Sequence, residues 1–123
     1  MKRDLELIRK ILLAVEDRKQ PQSLTDTDPA QIYYQVQLLL DYGYVEGKVL
    51  WDGVGETQIP VACYVKRITM VGHDYLDSVR DPKVWNKTKS VLEKVGGSAA
   101  LEVVKDVAVK VMAELIKPFI GGA

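Results

Sequence analysis

The strongest constraint on this chain is the order in which its hydrophobic periodicity changes. Two helical patterns come first, and two strand-like runs follow. Over residues 4–18, Leu5, Ile8, Leu12 and Val15, with Ile11 beside them, recur at helical spacing, while Arg3, Glu6, Arg9, Lys10 and Asp17 fall largely on other faces. Pro21 and Ser23 break this pattern, and Leu24 with Thr25 suits a short strand or turn. A second helix starts clearly: Asp28 is suited to cap it, Pro29 occupies a first position that needs no N–H, and Gln31 completes a capping-box spacing. Ile32, Val36 and Leu39 form its inward face, and Gly43 ends it. Residues 44–51 and 61–68 are rich in β-branched and aromatic side chains. Between them, residues 52–60 hold Gly53, Gly55 and Pro60, as a flexible hairpin tip would.

Helix, helix, then a hairpin with a long tip is the order of a winged helix-turn-helix domain. The expected class is therefore α+β, with the hairpin as wing and a helical extension at the C-terminus. Thr69 is placed to cap a third helix over residues 70–79, and Asp81-Pro82 repeats the cap-plus-proline device for a fourth over 83–95. Gly96-Gly97 breaks the chain, and Ser98 is placed to cap a last helix over 99–119. The expected division is a winged-helix domain at 1–81 and an extension at 82–123. Leu12, Val36, Leu39 and Trp85 are expected to be buried in one cluster.

Two stretches resemble winged-helix regulators. Residues 36–45 resemble the end of a recognition helix and the turn into the wing, and residues 68–76 resemble the segment after the wing. More specifically, the chain is similar to a family of bacterial, phage and prophage proteins known as a domain of unknown function (number twenty-five thirteen). Three segments carry this likeness: Met1-Lys2-Arg3-Asp4 with residues 7–12, then 69–76, then 80–89 around Trp85. The resemblance implies a winged-helix fold and an origin in mobile elements, and it implies no biochemical activity. Where the family often shows His-Leu-Lys, this chain has Gln35-Val36-Gln37.

Catalytic and metal chemistry lacks its usual residues. There is one histidine, His73, and one cysteine, Cys63, with no zinc-ligand spacing, so neither a metal nor a cofactor is expected. No nucleophile accompanies His73, which is read as packing beside the wing or meeting solvent. Gly53-Val54-Gly55 lies between strands and not before a helix, which excludes a phosphate loop. Asp74 and Asp77 are read as a solvated helix face. An enzyme is not expected. A single cysteine forms no internal disulfide, which suits a reducing cytoplasm. Met1-Lys2-Arg3-Asp4 runs straight into the first helix, so no signal peptide is expected, and no apolar run reaches membrane-spanning length.

Charge decides which partners fit. The chain has 17 basic and 17 acidic residues, so the overall basic excess of many nucleic-acid binders is missing. Residues 20–65 hold Asp26, Asp28, Asp41, Glu46, Asp52 and Glu56 against Lys48 alone, a net of 1 − 6 = −5. Gln31, Gln35 and Gln37 have the chemistry to read adenine edges but lack phosphate anchors beside them. Basic residues gather on the first and fourth helices instead, which makes Arg9, Lys10, Lys87 and Lys89 the candidate nucleic-acid contacts. Tyr34 and Leu38, with Tyr42, lie on the second helix away from its inward face and form a candidate partner surface. On the last helix, Leu101, Val104, Val111 and Leu115 belong to an apolar stripe broader than one contact needs. That stripe suits either a homodimer or a groove of the chain's own domain, and a homodimer through residues 98–120 is expected; a membrane-surface helix lacks its cationic rim. Two functions follow as alternatives: a phage-type regulator or nucleic-acid accessory, and a protein-interaction module without DNA binding.

Overall fold

The computed structural model describes residues 1–120. It is a mixed α+β protein with five α-helices and one antiparallel two-stranded hairpin among the described residues. Two compact units divide within the third helix, one from Met1 to His73 and one from Asp74 onward.

In the first unit, α1 (Leu5–Glu16) starts where the Asp4 carboxylate accepts the Leu7 N–H at 3.0 Å. It buries Leu5, Leu7, Ile8, Ile11, Leu12 and Ala14, while Val15 stays half-buried. A 3₁₀ turn (Pro21–Ser23) leads to α2 (Pro29–Asp41), whose N-cap Asp28 accepts from Ala30. The expected reciprocal capping box does not form: the Gln31 amide donates to the Lys2 carbonyl at 3.5 Å instead. Ile32, Val36 and Leu39 point inward as expected, joined by Gln35. Gly43 ends the helix at φ +73°, and Tyr44 N–H reaches back to the Leu39 carbonyl at 2.9 Å.

Strands β1 (Val45–Asp52) and β2 (Ile59–Ile68) pair from Val45↔Ile68 out to Asp52↔Ile59, with register shifts at Glu46/Gly47 and Leu50/Trp51. Leu24 and Thr25 form no strand. The free edge of β2 is met by side chains instead. The Gln20 amide donates to the Val65 carbonyl at 3.0 Å and accepts the Val65 N–H at 2.9 Å, as a strand residue would. α3 (Met70–Val79) follows, with Thr69 Oγ1 accepting the Gly72 N–H and donating to the Gly43 carbonyl at 2.6 Å.

In the second unit, Asp81 caps α4 (Pro82–Glu93) by accepting from Lys83 and Val84. This helix buries Val84, Trp85, Thr88 and Leu92. α5 (Leu101–Ile120) packs along α4 and buries Leu101, Val104, Ala108 and Val111. It begins later than expected, because the Ala100 carbonyl accepts its first bond, from Val104 at 3.0 Å; Ser98 is therefore too early to cap it. Leu12, Val36 and Leu39 are buried in the first unit, and Trp85 in the second.

Candidate interaction surface

The three glutamines of α2 occupy quite different settings. Gln35 is fully buried. Its Nε2 donates to the Lys2 carbonyl at 2.8 Å, and its Oε1 accepts the Asp4 N–H at 2.9 Å. The amide thus pins the N-terminal arm onto α2. Its expected availability to a base edge is a correction: period-3.6 spacing puts it beside Val36 and Leu39, where the arm's unpaired backbone groups need a partner. Gln37 lies between two neighbours, donating to Asp41 Oδ1 at 2.9 Å and accepting the Trp51 indole N–H at 3.2 Å.

The same arm brings Arg3 to the end of α2. Its guanidinium stands 5.4 Å from the Tyr42 ring centroid and donates to the Tyr42 hydroxyl at 2.5 Å. Tyr34 and Leu38 are only half-buried. Tyr34 lines a cavity of about 260 Å³ with Met1, Trp51, Gln58, Ile59 and Pro60, so the hairpin and the arm supply its neighbours.

Most of the exposed large apolar side chains of the first unit lie on the hairpin. Leu50, Trp51, Val54, Ile59, Val61 and Tyr64 are all exposed, Val54 at 84%. The sequence pattern located the hairpin but did not single out these side chains. The available signal was the departure of Leu50-Trp51 and Ile59 from strict alternation, where the register shift at Leu50/Trp51 turns neighbouring residues outward together.

The expected basic anchors are only partly free. Lys10 faces Asp26 at 4.0 Å, and Arg9 is half-buried. Lys89 lies over the Trp85 ring, with Nζ 5.7 Å from its centroid, while Lys87 is exposed. Arg9 and Lys10 belong to the first unit and Lys87 and Lys89 to the second. Among the residues expected at a dimer contact, Leu101, Val104 and Val111 are buried within the chain and Leu115 is half-buried. The exposed apolar side chains of α5 are Val103, Val109, Ile116, Phe119 and Ile120.

His73 is exposed. No cluster of three metal-ligating side chains occurs among the described residues, and no described helix is long and apolar enough to cross a membrane. Cys63 is buried; its Sγ–H donates to Gln22 Oε1 at 3.3 Å, and burial pushes the thiol up from 9.0 to about 11. The neutral thiol is therefore favoured in the folded state, and its contribution to stability is complete below pH 9 and lost as pH rises from 9 to 11. Iodoacetamide should label native protein at pH 8 at least about tenfold more slowly than protein unfolded in urea. Equal rates would show an accessible thiolate.

A helical unit carrying a two-stranded hairpin with exposed apolar side chains and an acidic tip defines a small α+β protein. The chain belongs to the family described as "Hypothetical protein (DUF2513)", which matches residues 2–99. An "Uncharacterized protein" of Haemophilus influenzae (strain ATCC 51907 / DSM 11121 / KW20 / Rd) is 27% identical over 122 residues, covering 94% of this chain and 99% of that relative. No solved structure matches the chain significantly.

Proposed function

We infer that the first unit is a winged-helix scaffold used for protein recognition, without duplex DNA binding and without catalysis. The order α1, 3₁₀ turn, α2, hairpin supports the scaffold, with α2 in the place of a recognition helix and β1–β2 in the place of a wing. One observation carries the choice of partner: the Gln35 amide is buried and bonded to the chain's own backbone. A helix that reads bases needs free amides and nearby phosphate anchors. Here Gln37 is also engaged, and α2 carries no Lys or Arg. The surface on offer is aromatic and aliphatic with acids at its tip, and Trp51 and Tyr64, exposed beside Leu50, are of the residue types that anchor protein interfaces.

A second reading, a phage- or prophage-type regulator or nucleic-acid accessory, is favoured by Lys83 and Lys87 of α4 and Lys94 just after it, all exposed. A salt series with random duplex DNA separates the two. Protein recognition predicts dissociation constants no tighter than about 10 µM at physiological salt, the non-specific range. Tighter saturable binding that Lys87→Glu with Lys89→Glu abolishes would establish the second reading and overturn the first.

A further inference from the structure

The second unit carries a groove between α4 and α5 whose chemistry mirrors the hairpin tip. The groove has a volume of about 430 Å³. Val91, Val107 and Val111 form its apolar lining, Lys87 of α4 and Lys110 of α5 border it, and Glu114 is the one acidic side chain among its lining residues. Lys83 and Lys94 continue the positive border, because steps of four and seven residues from Lys87 stay on one side of a helix. None of these four lysines forms an ion pair among the described residues.

The tip carries the opposite pattern. Val54 projects at 84% exposure, with Asp52 and Glu56 exposed on either side of it. Neither carboxylate has an ion-pair partner among the described residues. The tip is also held in shape before any partner arrives. Thr57 Oγ1 donates to the Val54 carbonyl at 2.6 Å and accepts the Val54 N–H at 3.3 Å, closing the 3₁₀ turn Gly55–Thr57. A turn already ordered pays little conformational entropy on docking.

We propose that the α4–α5 groove receives the hairpin tip of a second copy of this chain, Val54 seating on the valines while Asp52 and Glu56 meet Lys87 and Lys110. The pattern acid–apolar–acid fits base–apolar–base, and this charge complementarity singles out the second copy as occupant. Exchange in both directions closes a dimer, and exchange in one direction grows a chain of copies; both raise the mass above that of a monomer. This step rests on the reading that the hairpin docks protein.

Light scattering on the full chain tests it with two charge-reversed variants. One is Lys87→Glu with Lys110→Glu, and the other is Asp52→Lys with Glu56→Lys. Wild type should associate at low salt and dissociate as salt rises. Each variant alone sets like charges against each other and should associate at least about tenfold more weakly. An equimolar mixture of the two restores opposite charges at both junctions and should recover the mass. Val54→Asp, at the most exposed position of the tip, should also leave monomers, and circular dichroism identifies any variant that fails to fold. A wild type that stays monomeric, variants that associate like wild type, or a mixture that stays monomeric would each overturn the proposal. None of these results bears on duplex binding, so the proposal and the protein-recognition reading fail separately.

Discussion

Replacing Gly72 with alanine should destabilise the protein by about 3 kcal/mol or more, the upper range of overpacking effects. Elsewhere in a helix the same change usually stabilises by about 0.5–1 kcal/mol. The sign reverses here because α3 crosses the start of the hairpin at backbone contact. A Cβ on Gly72 would stand 2.0 Å from the Tyr44 carbonyl oxygen and 2.7 Å from Ile68 Cγ2. The carbonyl cannot easily withdraw. It accepts the Thr69 N–H at 3.0 Å, and the Tyr44 N–H is held by Leu39 at 2.9 Å. Relief therefore breaks either the end of α2 or the start of α3. Gly43→Ala is the control: open space surrounds its Cβ position, and only φ +73° opposes the substitution, at a cost of about 1–2 kcal/mol. Urea midpoints compared at constant m-value measure both changes. A Gly72→Ala protein as stable as wild type would mean that α3 does not approach Tyr44 this closely.

Signals confined to a few neighbouring residues were legible in the sequence. Asp28-Pro29 and Asp81-Pro82 start α2 and α4, Thr69 caps α3, and Gly43 ends α2, because caps and left-handed turns depend on local backbone geometry. The strands were also visible, the first displaced by one residue at each end and the second starting two residues late. What stayed hidden depends on contacts distant in sequence. Gln20 serves as a strand surrogate for Val65, and Gln35 holds Lys2 and Asp4; neither pairing leaves a trace in periodicity. The apolar stripe of α5 was visible, but its partner was not. Leu101, Val104 and Val111 are covered within the chain, and α4 is the helix that α5 packs along. The net −5 over residues 20–65 was plain from the start, yet only the structure shows Val54 projecting between Asp52 and Glu56.

Gln35→Ala should cost about 2–4 kcal/mol, although the same change at Gln31 should stay within about 0.5 kcal/mol. Gln31 makes one long bond, at 3.5 Å, near the surface. Gln35 has both ends of its amide bonded and no solvent exposure. Truncation leaves the Lys2 carbonyl and the Asp4 N–H to find other partners, and it empties space beside Val36 and Leu39. Asp4 is also the N-cap of α1, so a loosened arm weakens the start of that helix. The cost should therefore overlap with the loss of the arm. In a chain lacking residues 1–3, one partner of the amide is already gone, and Gln35→Ala should cost measurably less than in the full chain. Thermal or urea unfolding of the four species closes this double-mutant cycle. Equal costs in both backgrounds would mean that Gln35 contributes volume alone. A near-zero cost in the full chain would return its amide to the surface of α2, where a base edge could reach it, and would remove the observation that favours protein over DNA.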